Sequence, residues 1–142
     1  MMADFKCFMA DNAIKAENKK YIASQRFVGE DKQPVEWELR VVPNDEVERI
    51  TKSCRKKEFN RATHETTYTT DPNKFNLTLV CASVVYPPLD NAELQDSYKV
   101  VGAEALVKAM LTPGELSDLV SAVSEVCGYQ ADMADKIKTA KN

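Results

Sequence analysis

The sequence has few of the residues from which most catalytic and nucleotide-binding motifs are built. It contains 4 glycines and 1 histidine in 142 residues. Phosphate-binding loops need closely spaced glycines, and neither G-x-G-x-x-G nor a P-loop is present. The H-E-x-x-H and G-x-S-x-G motifs are also missing. The sequence therefore does not predict a nucleotide-binding enzyme, a zinc protease or a serine hydrolase.

Long apolar runs and an excess of positive charge are absent as well. No apolar stretch reaches the roughly 18 residues that a membrane helix needs, and the N-terminus lacks the pattern of a signal peptide. The formal net charge is -3, which provides no general attraction to nucleic acid or anionic lipid. We therefore expect no membrane and no nucleic-acid partner, and a protein that stays in the compartment where it is made.

The cysteines do not form a recognisable metal-binding pattern. There are four of them, widely spaced and without a C-x-x-C pair: Cys7, Cys54, Cys81 and Cys127. A zinc site would have to gather its ligands from distant elements. Reduced and mostly buried thiols are the favoured interpretation, and we expect no cofactor or metal.

The clearest pattern in the chain is the alternation around its single tryptophan. The apolar residues Val35, Trp37, Leu39 and Val41 alternate with Glu36, Glu38 and Arg40. A period of two indicates a strand with one buried and one solvated face, here the second strand of a hairpin at about 21–42. The spacing of Glu36 and Glu38 would suit a pair of catalytic carboxylates. No positioned acid–base set accompanies them, so a solvated or partner-facing row is favoured and no enzyme is predicted.

The rest of the chain predicts one more strand and several helices. The Thr-rich segment at about 58–70 is typical of a strand, which we expect to join the hairpin. Acidic residues after Asn44 and basic ones up to Lys57 predict a helix by their order of charge. A buried helix is predicted over 71–86, although Val84 and Val85 leave a strand open at its end. Helices are also predicted over 91–98, 103–111 and 115–127, the last beginning with a capping box at Thr112-Pro113-Gly114-Glu115.

Together these elements predict an α+β fold. A small antiparallel sheet, made of the hairpin at about 21–42 and the strand at about 58–70, is covered by four to five α-helices. We expect a single domain over 1–128 with a loosely placed N-terminal arm (1–20). The C-terminal tail, 129–142, is expected to be a frayed helix or disordered.

The N-terminal arm carries a short apolar cluster formed by Phe5, Phe8 and Met9. Exposed aromatic arms often bind partners, and terminal residues are equally often only frayed. The candidate partner-binding residues are Phe5, Phe8, Met9, Glu36, Glu38 and Arg40. Any exposed part of the two C-terminal helices, 103–111 and 115–127, is a further candidate surface.

Several strings, in order and at their spacing, resemble the XkdN-like phage tail assembly chaperones of phages and prophages of Gram-positive bacteria. The strings are S-x-R-F (24–27), PVEWELR (34–40), LVCASVVYP (79–87), ELQDSY (93–98), GAEAL (102–106), MLTPGE (110–115) and VCG (126–128). The resemblance runs from about Phe5 to Gly128. The turn Gly29–Gln33 departs from it, because its glycine comes first instead of after an acidic pair.

The resemblance implies a non-enzymatic protein of the host cytoplasm that binds the tape measure protein during tail assembly. It also implies absence from the finished virion, and in some members a longer form made by ribosomal frameshifting. It transfers no catalytic residues. Self-association along the tape measure protein is a further hypothesis. The alternatives are a structural tail component retained in the virion and a small regulatory interaction protein.

Overall fold

The alternating segment around Trp37 forms the central strand of a sheet in the computed structural model, which describes residues 5–129. The strands are Lys19–Tyr21 (β1), Trp37–Leu39 (β2), Arg55–Asn60 (β3), Glu65–Thr70 (β4) and Val84–Tyr86 (β5). The helices are Asn44–Ser53 (α1), Pro72–Ser83 (α2), Ala92–Ser97 (α3), Ala103–Met110 (α4) and Pro113–Val126 (α5), after a short 3-10 helix at Phe5–Phe8. The predicted α+β class and the predicted number of helices are confirmed for the described residues.

The predicted hairpin exists, but its paired strands are short. β1 and β2 pair antiparallel, with Tyr21 opposite Trp37. Between them the chain leaves the sheet and closes a tight turn, in which the Gly29 N–H donates to the Gln33 carbonyl at 3.0 Å. The sheet therefore uses only the ends of the segment predicted at 21–42, and its middle forms a loop against the core.

The third strand of this sheet is β5, where the sequence predicted the end of a helix and left a strand open at Val84 and Val85. β2 lies between β1 and β5, and both pairings are antiparallel. The hydroxyl of buried Ser83 donates to the Arg40 carbonyl at 2.7 Å, and the Arg40 N–H donates to the Ser83 carbonyl at 2.8 Å. These two bonds end α2 at Ser83 and direct the chain into the sheet at Val84, where a β-branched residue is favoured.

The segment predicted as a strand at about 58–70 forms a separate hairpin instead of joining the sheet. β3 and β4 pair with each other from Arg55 opposite Thr70 to Asn60 opposite Glu65. The helix predicted to run through Lys57 ends at Ser53, so the basic run of residues 55–57 belongs to β3. The Asp71 N–H donates to the Cys54 carbonyl at 3.0 Å, and this bond closes the base of the hairpin.

Helix capping follows the sequence closely at α2 and α5. The Asp71 carboxylate accepts hydrogen bonds from the first turn of α2, and Pro72 follows at the first helical position. Thr112 and Glu115 form a complete capping box at the start of α5. Gly128 follows the end of α5 with a φ of 83°, the left-handed conformation that favours glycine at this position.

The hydrophobic core lies between the sheet and the helices. Trp37 and Leu39 of β2 are buried, and Phe27 packs against Trp37 with ring centroids 6.5 Å apart. The other fully buried large side chains include Val80, Leu106, Val107, Leu119 and Val123. This arrangement confirms that helices cover the Trp37 face of the sheet. No helix within residues 5–129 is long and apolar enough to cross a membrane.

The predicted tail, 129–142, lies outside the described residues except for Tyr129, and so do residues 1–4 of the predicted N-terminal arm.

Candidate partner-binding surfaces

The N-terminal 3-10 helix presents its aromatic side chains to solvent. Phe5 is 72% exposed and Phe8 is 82% exposed, and Met9 beside them is also exposed. The helix contains no buried residue. Three large apolar side chains within five residues therefore lie on the surface, which is the arrangement expected of an element that binds a partner.

The polar row on β2 is less uniform than the alternation predicted. Glu36 is exposed. Glu38 accepts from the Lys20 ammonium at 2.8 Å, and this hydrogen bond holds the pKa of the Glu38 carboxyl below its ordinary value. The Arg40 guanidinium donates to Glu46 at 2.7 Å and to the Ala82 carbonyl at 2.9 Å. Arg40 therefore links β2 to α1 and α2, and Glu36 retains the most open surface of the three.

The β3–β4 hairpin projects from the body of the protein with all six residues of each strand exposed. Lys57 stands opposite Tyr68 and Phe59 opposite Thr66, so the two aromatic side chains and a lysine share one face. The single histidine, His64, lies at the tip with its ring centroid 6.4 Å from that of Phe59. Four basic residues against two acidic ones give residues 55–70 a local positive charge. This hairpin is a second exposed surface that mixes aromatic and basic side chains.

An open groove with a volume of about 630 Å³ lies between α2, α4 and α5. Its apolar lining comes from Leu77 of α2 and from Leu116 and Val120 of α5, all of them partly exposed. Charged side chains at its rim are Lys74, Glu104 and Lys108. The groove therefore joins an apolar floor to a charged rim, the composition typical of a site for a protein segment.

One of the charges at the groove already has a partner. The Thr78 hydroxyl donates to the Glu104 carboxylate at 2.9 Å. No ion pair joins Lys74 or Lys108 to any residue that the structure describes. The groove is therefore bordered by two exposed ammonium groups without a carboxylate partner in this part of the chain.

Neither the Cys81 thiol nor any acidic cluster described in residues 5–129 has the features of a nucleophile or a metal site. Burial raises the pKa of the Cys81 thiol to about 12, and the nearby Glu104 carboxylate adds to the shift. That thiol is protonated at neutral pH, whereas a nucleophilic cysteine needs its thiolate. No group of three or more His, Cys, Asp or Glu side chains that could hold a metal ion is found in that range.

A comparison with known protein families identifies the family of this chain. The model of the family described as Phage XkdN-like tail assembly chaperone protein, TAC, matches residues 5–141. The chain belongs to this family. The resemblance seen in the strings from Ser24 to Gly128 is therefore confirmed.

Two relatives of this tail assembly chaperone come from Bacillus subtilis (strain 168). Phage-like element PBSX protein XkdN is 24% identical over 140 residues, which cover 98% of this chain and 94% of the relative. The protein YqbN is 24% identical over 150 residues, which cover 98% of this chain and 93% of the relative. The crystal structure of the protein YqbN has a TM-score of 0.75 at 22% identity and covers 92% of this chain and 100% of that chain. At this identity the structural likeness establishes the fold alone.

Membership of the tail assembly chaperone family suggests tail proteins as partners. Sequence reasoning named the aromatic residues of the chaperone's N-terminal arm, the polar row on β2 and any exposed part of the two C-terminal helices, but it did not identify the groove that α2 forms with those helices. The signal available in the sequence was the apolar stripe of α5, which is wider than its packing against the core requires. Leu119 and Val123 of that stripe are buried in the core, whereas Leu116 and Val120 line the groove.

Proposed function

We propose that this chaperone binds the tape measure protein of its phage or prophage tail in the host cytoplasm, without catalysis, and is absent from the finished virion. The observation that carries the proposal is the family match over residues 5–141. It is supported by the relationship to XkdN along nearly the full length of both chains.

The surface chemistry supports binding of a protein partner. Exposed apolar side chains attract apolar surface of a partner, and charges around them limit aggregation of the free chaperone. Phe5 and Phe8 provide such apolar area at one end of the described chain, and the groove provides it between α2 and α5. A holding function needs only binding surfaces of this kind, because the partner is not chemically changed.

Co-purification tests the proposal. The chaperone, tagged at its C-terminus, is co-expressed with the full tape measure protein of the same phage, and the captured proteins are identified and quantified by mass spectrometry. We expect the tape measure protein to be captured in a defined ratio. Failure of the tape measure protein to bind, with another tail protein captured in its place, would overturn the proposed partner.

The aromatic residues of the N-terminal arm can be tested in the same assay. Phe5→Ser together with Phe8→Ser removes the exposed rings without touching the core, and we expect capture to fall. The control is Phe59→Ser with Tyr68→Ser on the β3–β4 hairpin, which removes a similar exposed aromatic area elsewhere. Equal capture by wild type and both variants would exclude the arm as a binding element.

Two further measurements separate this proposal from its alternatives. Mass spectrometry of purified mature particles should find the chaperone depleted relative to tail-tube protein, whereas abundant copies would indicate a structural component. Self-association along the tape measure protein remains a prediction. It requires a complex with more than one chaperone copy in light scattering after size-exclusion chromatography.

A further inference from the structure

We propose that the groove between α2, α4 and α5 binds an amphipathic helix of the client protein. In this arrangement an apolar stripe of the helix lies on Leu77, Leu116 and Val120, and acidic side chains beside the stripe pair with Lys74 and Lys108. The inference rests on the proposed function, since it specifies which surface the client occupies and what chemistry the client segment has.

The first argument is the apolar floor. Leu116 and Val120 lie one helical turn apart on the same face of α5, and Leu77 of α2 extends that floor across the groove. All three side chains pack against the core with part of their surface and remain partly exposed with the rest. Covering that remaining area would be favourable in proportion to the apolar surface removed from water.

The walls of the groove favour a helical bound segment over an extended one. The lining residues come from α2, from α4 and from α5 with its first residue Pro113, so the walls present side chains and no strand edge. A bound extended segment would find the polar side chains of Asn73, Asn76 and Ser117 there, but no strand edge with which to pair its row of N–H and C=O groups. A helix satisfies its backbone internally and presents apolar side chains at i, i+3, i+4 and i+7, as in other helix-in-groove complexes.

The charges at the rim favour a client helix that carries acidic side chains. Lys74 and Lys108 are exposed at the rim, and the Glu104 carboxylate of α4 accepts a hydrogen bond from Thr78 of α2. The rim therefore carries two ammonium groups against one carboxylate, which is a local positive charge on a chain whose formal net charge is -3. Acidic side chains flanking the apolar stripe of a client helix would pair with these ammonium groups, whereas basic ones would be repelled.

Charge reversal at the rim provides the first test. Lys74→Glu with Lys108→Glu is compared with Arg49→Glu with Lys52→Glu, two exposed basic residues of α1 that carry the same change in net charge. We expect the rim variant to bind the full tape measure protein roughly tenfold more weakly, since two attractions become repulsions, and the control to bind like wild type at the same salt concentration. Equal weakening by both variants would show a general charge effect and would overturn the role of the rim.

Filling the groove provides a test that does not depend on charge. Ser117 lines the groove on the exposed surface of α5, and Ser121, one turn later, is exposed and does not line it. Ser117→Trp should obstruct the client helix and reduce capture of the tape measure protein, whereas Ser121→Trp should not. Circular dichroism and thermal melts of all variants ensure that reduced capture is not a failure to fold.

The segment bound is then identified with overlapping peptides of about 25 residues that tile the tape measure protein, measured by fluorescence anisotropy. We expect the binding peptides to carry an apolar stripe at helical spacing with Asp or Glu beside it, and to gain helicity on binding. Exchanging those acidic residues for Lys should abolish binding to wild type and restore it to the Lys74→Glu, Lys108→Glu variant.

The outcomes separate this inference from the proposed function. If wild type captures the tape measure protein and the rim and Ser117→Trp variants capture it equally well, the groove is not the site and the proposed function stands. If wild type captures none, the proposed partner itself is wrong. Peptides that bind in an extended conformation would overturn the helix-in-groove inference.

Discussion

Leu39 of β2 offers the most direct measure of how much the small sheet contributes to stability. Its side chain is 0% exposed, and β2 is paired on both sides, by β1 and by β5. Leu39→Ala removes three carbon groups at about 0.8 kcal/mol each. The cavity left behind adds to that cost because a strand held on both edges relaxes little, so we expect a total of about 3 to 4 kcal/mol.

Urea denaturation followed by the fluorescence of Trp37 gives the free energy of unfolding. The single tryptophan lies two residues from the substitution on the same buried face, so its emission reports the loss of this core. For a chain of this length, 3 kcal/mol corresponds to a fall in the melting temperature of about 10 °C. The m-value should not change, because the same surface is exposed on unfolding.

Val101→Ala is the matched control, since Val101 is 91% exposed. It also removes apolar carbon, and we expect a change within about 0.5 kcal/mol. A cost below about 1 kcal/mol for Leu39→Ala, or equal costs for the two variants, would refute the view that β2 lies at the centre of the core.

Three other substitutions test local features of the fold. Thr112→Ala removes the capping-box hydroxyl of α5 and should lower stability by roughly 1 kcal/mol in a thermal melt; no change would mean that the box is not formed. Hydrogen bonds from Ser24, the Thr112 N–H and Arg26 lower the pKa of Glu115 from 4.5 to about 2. Glu115 therefore contributes stability above pH 4.5 that is lost as the pH falls through 2, so the advantage of wild type over Glu115→Gln should shrink across that interval. An advantage that is independent of pH would contradict this assignment. Phe59→Ala with Tyr68→Ala should leave the urea midpoint nearly unchanged, because these side chains are 58% and 64% exposed; a large loss would mean that the hairpin packs on the body.

The parts of the fold that local chemistry determines could be predicted from the sequence. Thr112 and Glu115 begin α5, and Gly128 follows its end, because capping bonds and a positive φ depend only on neighbouring residues. The alternation around Trp37 likewise identified the central strand, since one face of that strand is buried.

The parts that depend on distant contacts were harder to predict. Val84 belongs to a strand because β2 is available to pair with it, and nothing within α2 itself indicates that partner. The basic residues at 55–57 satisfied the charge pattern of a helix end, yet they pair with β4. Every residue of β3 and β4 is exposed, so there was no buried face whose period could have revealed the two strands.

The candidate binding surfaces also differ in whether they could be predicted from the sequence. Phe5, Phe8 and Met9 stand close together in sequence, so the cluster could be recognised there, and the structure shows that it is exposed. The groove is a gap between α2 and α5 that Leu77 and Leu116 line. The width of this gap is set by the packing of the two helices and not by the sequence of either helix alone.

An aggregation assay tests whether this chaperone holds the tape measure protein, as we propose. Purified tape measure protein is diluted from denaturant into buffer with an equimolar amount of the chaperone, of its Lys74→Glu, Lys108→Glu variant, or of an unrelated protein of similar size. The Lys74→Glu, Lys108→Glu variant should protect less well than wild type. With wild type we expect light scattering to stay low and both proteins to elute together on size-exclusion chromatography. Equal aggregation with wild type and with the unrelated protein would contradict this proposal.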